Sequence, residues 1–161
     1  MHRAARGAAT VRNVAEDFHT QVRPRVEQLL APGESLEGVC AATQQSTFRG
    51  GMVALAVTDR RLLVQPLDRH AQPKGDAVSI PPDELATFDA VGLAGEWYNA
   101  EPSMLESSAL TVRVKTANGR KLKLHMMRGG DGLLGRLGGG DAQQAGIAAL
   151  ATWVRQHHPE G

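Results

Sequence analysis

The chain has 161 residues, 18 Lys and Arg against 17 Asp and Glu for a formal charge of +1, one cysteine and 42% hydrophobic residues. That length suits one domain with a real core, and no stretch approaches the ~18 uninterrupted apolar residues of a membrane-spanning helix. The lone Cys40 cannot close an internal disulfide, which fits a reducing, cytoplasmic setting.

The opening MHRAARGAATVRN is basic but lacks the apolar stretch of a secretory signal, and residues 1–10 read as a loose basic tail. Val14, Phe18, Val22, Val26 and Leu29/Leu30 then recur every three or four residues, which predicts an N-terminal helix over 11–31. Pro24 removes one backbone hydrogen bond from it and predicts a kink or a split there. Pro32-Gly33 ends it. Because its apolar stripe must be buried, the helix packs either on its own domain or on another chain.

From Leu36 to Arg128 short β-branched and apolar runs alternate with Gly, Pro, Asn and Asp, the texture of an antiparallel barrel or sandwich. Seven strands are predicted, at 36–43, 51–57, 62–67, 77–80, 85–91, 109–116 and 120–128. A closing helix follows over about 141–157, with Asp141 as N-cap and Ile147, Leu150, Ala151 and Val154 on its buried face. The domain so defined spans 35–158, and Cys40 lies inside its first strand as a buried structural thiol.

Two hairpins can be registered from their patterns. In 109–128, Leu110, Val112 and Val114 alternate with Thr111, Arg113 and Lys115, while Leu122, Leu124 and Met126 alternate with Lys121, Lys123 and His125. A two-residue turn at Asn118-Gly119 would set Val114 beside Lys123 on one face. A three-residue loop 117–119 with Gly119 left-handed instead pairs 116 with 120, 114 with 122 and 112 with 124, and puts every apolar residue on one side. In 54–67 the same reasoning pairs Val57 with Leu62 and Leu55 with Val64 around a four-residue loop, Thr58-Asp59-Arg60-Arg61. These two strands are apolar at nearly every position, so both of their faces are covered.

Seven short strands closed by one amphipathic helix, with the run AVTDRRLLVQPL (56–67) and the segment SIPPDELATFDAV (79–91), resemble the pleckstrin-homology-type (PH-like) domains of bacteria. The resemblance covers Leu36 to His157 and implies a mainly β, seven-stranded antiparallel barrel plugged by its last helix. It also implies a non-catalytic binding or assembly module. Eukaryotic relatives hold phosphoinositides with several cations in the first strand–strand loop. The equivalent loop here, QQSTFRGG (44–51), offers only Arg49, so that ligand is not carried over.

Motifs for chemistry are weak. Gly130, Gly132 and Gly135 spell a dinucleotide fingerprint by letter, but no βαβ unit surrounds them and three more glycines precede the helix, so no cofactor is expected. The histidines are scattered, with His157 and His158 adjacent rather than spaced for one metal, and no metal is expected. There is no nucleophile elbow and no paired carboxylate at a recognisable spacing, so an enzyme is not expected.

Charge is more informative by block than in total. Residues 76–108 carry seven anions and no cation, and 109–128 carry six cations and no anion. On the register above, Lys115 faces Lys121 and Arg113 faces Lys123 on the outer face of one hairpin, a repulsive arrangement. With Arg120 these residues form a basic strip. Either Asp83, Glu84, Asp89 or the acids of 96–106 neutralise it within the fold, or it receives an anionic partner. Two connections add contact candidates: Trp97 and Tyr98 within the aperiodic 92–108, and Leu133 and Leu134 within the glycine-rich 129–140.

The leading expectation is a non-catalytic module that binds a protein partner or a second copy of itself. The alternatives are peripheral attachment to anionic membrane through the basic hairpin and Leu133/Leu134, and a ligand-binding or enzymatic barrel near Trp97 and Tyr98. Nucleic acid fits poorly, because the strip holds no aromatic for base stacking.

Overall fold

In the computed structural model, residues 19–45, 51–68, 70–91, 111–126 and 140–157 are described. Residues 19–27 form helix α1, which runs through Pro24 as one uninterrupted helix rather than two pieces. The strands are β1 (Leu36–Gln45), β2 (Gly51–Thr58), β3 (Leu62–Pro66), β4 (Val78–Ile80), β5 (Leu85–Val91), β6 (Thr111–Thr116) and β7 (Lys121–Met126), and helix α2 spans Gly140–His157. Val14, Phe18, the first-loop Arg49 and the tail 1–10 lie outside the described residues.

Alternating or continuous apolar runs give strands that must pair, and here they pair in the order β4-β3-β2-β1-β7-β6-β5, antiparallel throughout. The two marginal strands, β4 and β5, are consecutive in the chain and are joined by a 3-10 turn, Pro82–Glu84. Pro81 and Pro82 have no N–H to give a ladder, so they fall where strand pairing stops. The sheet thereby curls into a nearly closed barrel with the C-terminal helix against it, the mainly β architecture expected.

Two apolar clusters sit on opposite faces of this sheet. The inner cluster gathers Leu55, Val57, Leu62, Val64, Ile80, Phe88, Val112, Val114, Leu122 and Leu124 with Ile147, Leu150, Trp153 and Val154 of α2. The outer cluster joins Val22 and Val26 of α1 to Val39, Ala54, Ala56, Leu63 and Leu67. This accounts for the continuous apolarity of β2 and β3, which face the barrel interior on one side and α1 on the other. The N-terminal helix therefore packs on its own barrel.

Leu29 departs from the predicted stripe. The end of α1 tightens, with the Leu29 N–H donating to the Val26 carbonyl at 2.9 Å and the Leu30 N–H to the Glu27 carbonyl at 3.3 Å, so that Leu29 turns outward, 39% exposed, while Leu30 packs inward. Asp141 likewise falls inside the first turn of α2 rather than ahead of it as a cap, because the helix already includes Gly140.

A polar clamp secures the α1 end. The Arg61 guanidinium donates to both oxygens of Glu34, each at 2.9 Å, while the Thr58 hydroxyl and the Ala31 N–H donate to the same carboxylate at 2.7 and 2.9 Å. The fork of Arg61 and these donors hold the Glu34 carboxyl down to about 2. Arg61 also reaches Ser79 on β4 and the Leu29 carbonyl, so one side chain ties helix, hairpin and marginal strand together.

Helix α2 closes on β1. Among the described residues β1 pairs with β7 from Ala42 to Gln45, and next to that stretch α2 reaches the β1 backbone directly. The Gln143 amide accepts from the Ala41 N–H at 2.7 Å and donates to the Ala41 carbonyl at 2.9 Å. One turn on, Gly146 lies so close to Val39 that a Cβ there would sit 2.2 Å from the carbonyl oxygen. Trp153 and Gln143 join the buried face predicted from Ile147, Leu150, Ala151 and Val154. Cys40 is fully buried as expected, and burial pushes its thiol up to about 12.

Candidate functional site on the β6–β7 hairpin

The hairpin follows the register derived from its alternation. Lys115 pairs with Lys121, Val114 with Leu122, Arg113 with Lys123 and Val112 with Leu124. The loop has odd length: the Thr116 N–H donates to the Arg120 carbonyl at 2.9 Å, the Gly119 N–H donates to the Thr116 carbonyl at 2.9 Å, and Gly119 has φ +90. The buried Thr116 hydroxyl donates to the Asn118 side chain and accepts from the Arg120 N–H at 3.1 Å, which fixes the turn from within. A final bond, from the Ala117 N–H to the Glu84 carbonyl at 2.7 Å, ties the loop to the turn before β5.

With the register set, the apolar residues point into the barrel and the cations point out. Val112, Val114, Leu122 and Leu124 are buried, whereas Arg113, Lys115, Arg120, Lys121 and Lys123 are all exposed. The hairpin turn brings together cations that are up to ten residues apart in sequence onto one face two strands wide. Beyond Lys123 the face continues to Gln45 of β1, and Thr111 and His125 form the neighbouring row, joined by a 2.7 Å hydrogen bond between the Thr111 hydroxyl and His125 Nδ1.

Of the acids expected to neutralise the strip, Asp89 comes nearest by register. It stands opposite Arg113 in the β5–β6 ladder, and Asp83 and Glu84 occupy the exposed 3-10 turn at the foot of β5. The ion pairs among the described residues are Arg23–Glu27 and Arg61–Glu34, so none of the strip cations is in one. Trp97, Tyr98, Leu133 and Leu134, and the acids of 96–106, lie outside the described residues.

Among the described residues no group of three or more His, Cys, Asp and Glu side chains is placed to hold a metal, and no helix is long and apolar enough to cross a membrane. Sequence reasoning located the strip but missed the Glu34 clamp and the Gln143 bridge. Glu34 carried one usable signal, its position directly after the helix-ending Pro32-Gly33.

No protein family and no curated protein matches the chain. Among solved structures it is similar to the C-terminal domain of an unknown protein from Leishmania infantum, at 17% identity over 85% of this chain and 98% of that one, with a TM-score of 0.49. It is also similar to the hSac2 domain from the human phosphoinositide phosphatase Sac2, at 14% identity over 89% of this chain and 83% of that one, with a TM-score of 0.48. Both likenesses are distant and give this chain neither a ligand nor a reaction.

Proposed function

We propose that this chain is a non-catalytic, PH-like interaction module whose working surface is the basic outer face of β6 and β7. The observation that carries the reading is the alignment of Arg113 with Lys123 and of Lys115 with Lys121, all exposed and none in an ion pair among the described residues. Facing like charges cost the isolated fold a few tenths to ~1 kcal/mol per pair, and an anionic partner removes that repulsion on binding. The face is the outside of a barrel, which suits a docking surface better than an enclosed reaction site. A cytoplasmic setting agrees with the single buried cysteine.

The test is binding of the purified full chain to polyanions, namely polyglutamate, vesicles containing phosphatidylserine and a single-stranded oligonucleotide, against the variant carrying Arg113→Glu and Lys123→Glu. The reading requires at least one polyanion to bind in a salt-sensitive manner and to lose affinity to the variant. Equal binding by both proteins to every probe excludes the hairpin as the working surface.

A further inference from the structure

The strip has a shape as well as a charge, and the shape restricts what can cover it. Along each strand the cations occupy alternate residues, Arg113 and Lys115 on β6 and Lys121 and Lys123 on β7, so they repeat at about 6.7 Å, while the two strands lie about 4.8 Å apart. On one flank the face ends at β5, where Asp89 and then Asp83 and Glu84 are exposed. On the other flank β1 pairs with β7 and sets the uncharged, exposed Thr43 beside His125. The cationic zone is therefore a band about 10 Å wide with an anionic margin on the β5 side.

A broad planar anionic surface pressed onto this face meets Asp89, Asp83 and Glu84 together with the cations, and its gain is reduced accordingly. A narrow partner that runs along the band avoids the margin. Among narrow polyanions, a nucleic acid strand draws much of its affinity from aromatic stacking, and the outer-face positions of β6 and β7 hold no Phe, Tyr or Trp, the single imidazole there, His125, being hydrogen-bonded to Thr111. An extended polypeptide with acidic residues at alternate positions repeats its carboxylates at the same ~6.7 Å as the two cation rows, so two successive carboxylates meet the Arg113/Lys123 row and the Lys115/Lys121 row.

Building on the proposed function, we infer that the partner is an acidic polypeptide segment, bound in extended form along the β6–β7 band with two alternate carboxylates facing the Arg113/Lys123 row and the Lys115/Lys121 row. Asp89 acts as a selectivity element on the margin, opposing anionic groups that spread beyond β6.

The experiment uses the full chain and fluorescent peptides of about ten residues, long enough to span the strands: one alternating Glu and Thr, one of the same composition with the glutamates in a block, and one with Gln in place of Glu. Vesicles with phosphatidylserine and an oligonucleotide are titrated in parallel. The alternating peptide is expected to bind several-fold more tightly than the block peptide, to be weakened roughly tenfold by Lys123→Glu or Lys115→Glu with thermal melts confirming folded variants, and to lose affinity with added salt. Asp89→Asn is expected to improve vesicle binding more than peptide binding. Equal affinity for the alternating and block peptides overturns the extended register. Tighter binding of vesicles or oligonucleotide than of any peptide, lost in Lys123→Glu, overturns the polypeptide partner while leaving the hairpin as the working surface. Insensitivity of every probe to these variants overturns both.

Discussion

Arg113 stands directly opposite Lys123 in the β6–β7 ladder, and both side chains are exposed. The placement follows from turn parity: a loop of odd length at Ala117–Gly119 keeps Val112, Val114, Leu122 and Leu124 on the buried face, and the cations then share the other. Burial of the apolar set fixes the register, and the repulsion among the cations, at a few tenths to ~1 kcal/mol per pair, is too small to shift it.

Lys121→Glu converts the pair with Lys115 from repulsive to attractive. The folded state is expected to gain about 0.5 kcal/mol, a rise of roughly 1–2 °C in Tm for a chain of this size, while affinity for polyanions falls. Calorimetry and binding on the same preparation check the opposed signs. A loss of stability contradicts the like-charge account of the hairpin.

The clamp around Glu34 gives a pH signature. Its carboxyl lies at about 2 in the folded chain against an ordinary 4.5, so its contribution is fully present above about 4.5 and is lost as pH falls through about 2. Glu34→Gln leaves Arg61 without its carboxylate and is expected to cost roughly 2 kcal/mol near neutrality. Urea unfolding at a series of pH values should show the gap between wild type and variant shrinking in acid. A gap that widens in acid contradicts the assignment.

Gly146→Ala tests the approach of α2 to β1. The added Cβ lies 2.2 Å from the Val39 carbonyl oxygen and 2.7 Å from its carbon, so backbone must move. A loss of more than about 2 kcal/mol is expected. Gly51→Ala, with open space around its Cβ, is the matched control and is expected within about 0.5 kcal/mol of wild type. Urea denaturation of both variants decides it, and equal stabilities contradict the packing.

Much of this architecture could be read before the fold was known. Alternation in 111–126 and the two-sided apolarity of 53–64 set strand faces, and turn parity set both registers, because each is a local consequence of the two-residue period of a strand. What escaped was tertiary. The stripe of α1 shows a face to be buried, but not that Val22 and Val26 meet Ala54, Ala56 and Leu63. Gln143 and Glu34 have no assigned place in the sequence pattern, and only their partners, the Ala41 backbone and Arg61, make them interior residues. Charge blocks located the basic strip, whereas the position of Asp89 opposite Arg113 required the β5–β6 pairing.

The most direct measurement is an NMR titration of the isotopically labelled full chain with polyglutamate, read at the backbone amides. The account predicts shifts concentrated at Arg113, Lys115, Lys121 and Lys123, with little change on α1 and β3, and their collapse at high salt. Shifts concentrated on another surface, with the β6–β7 amides unmoved, contradict it.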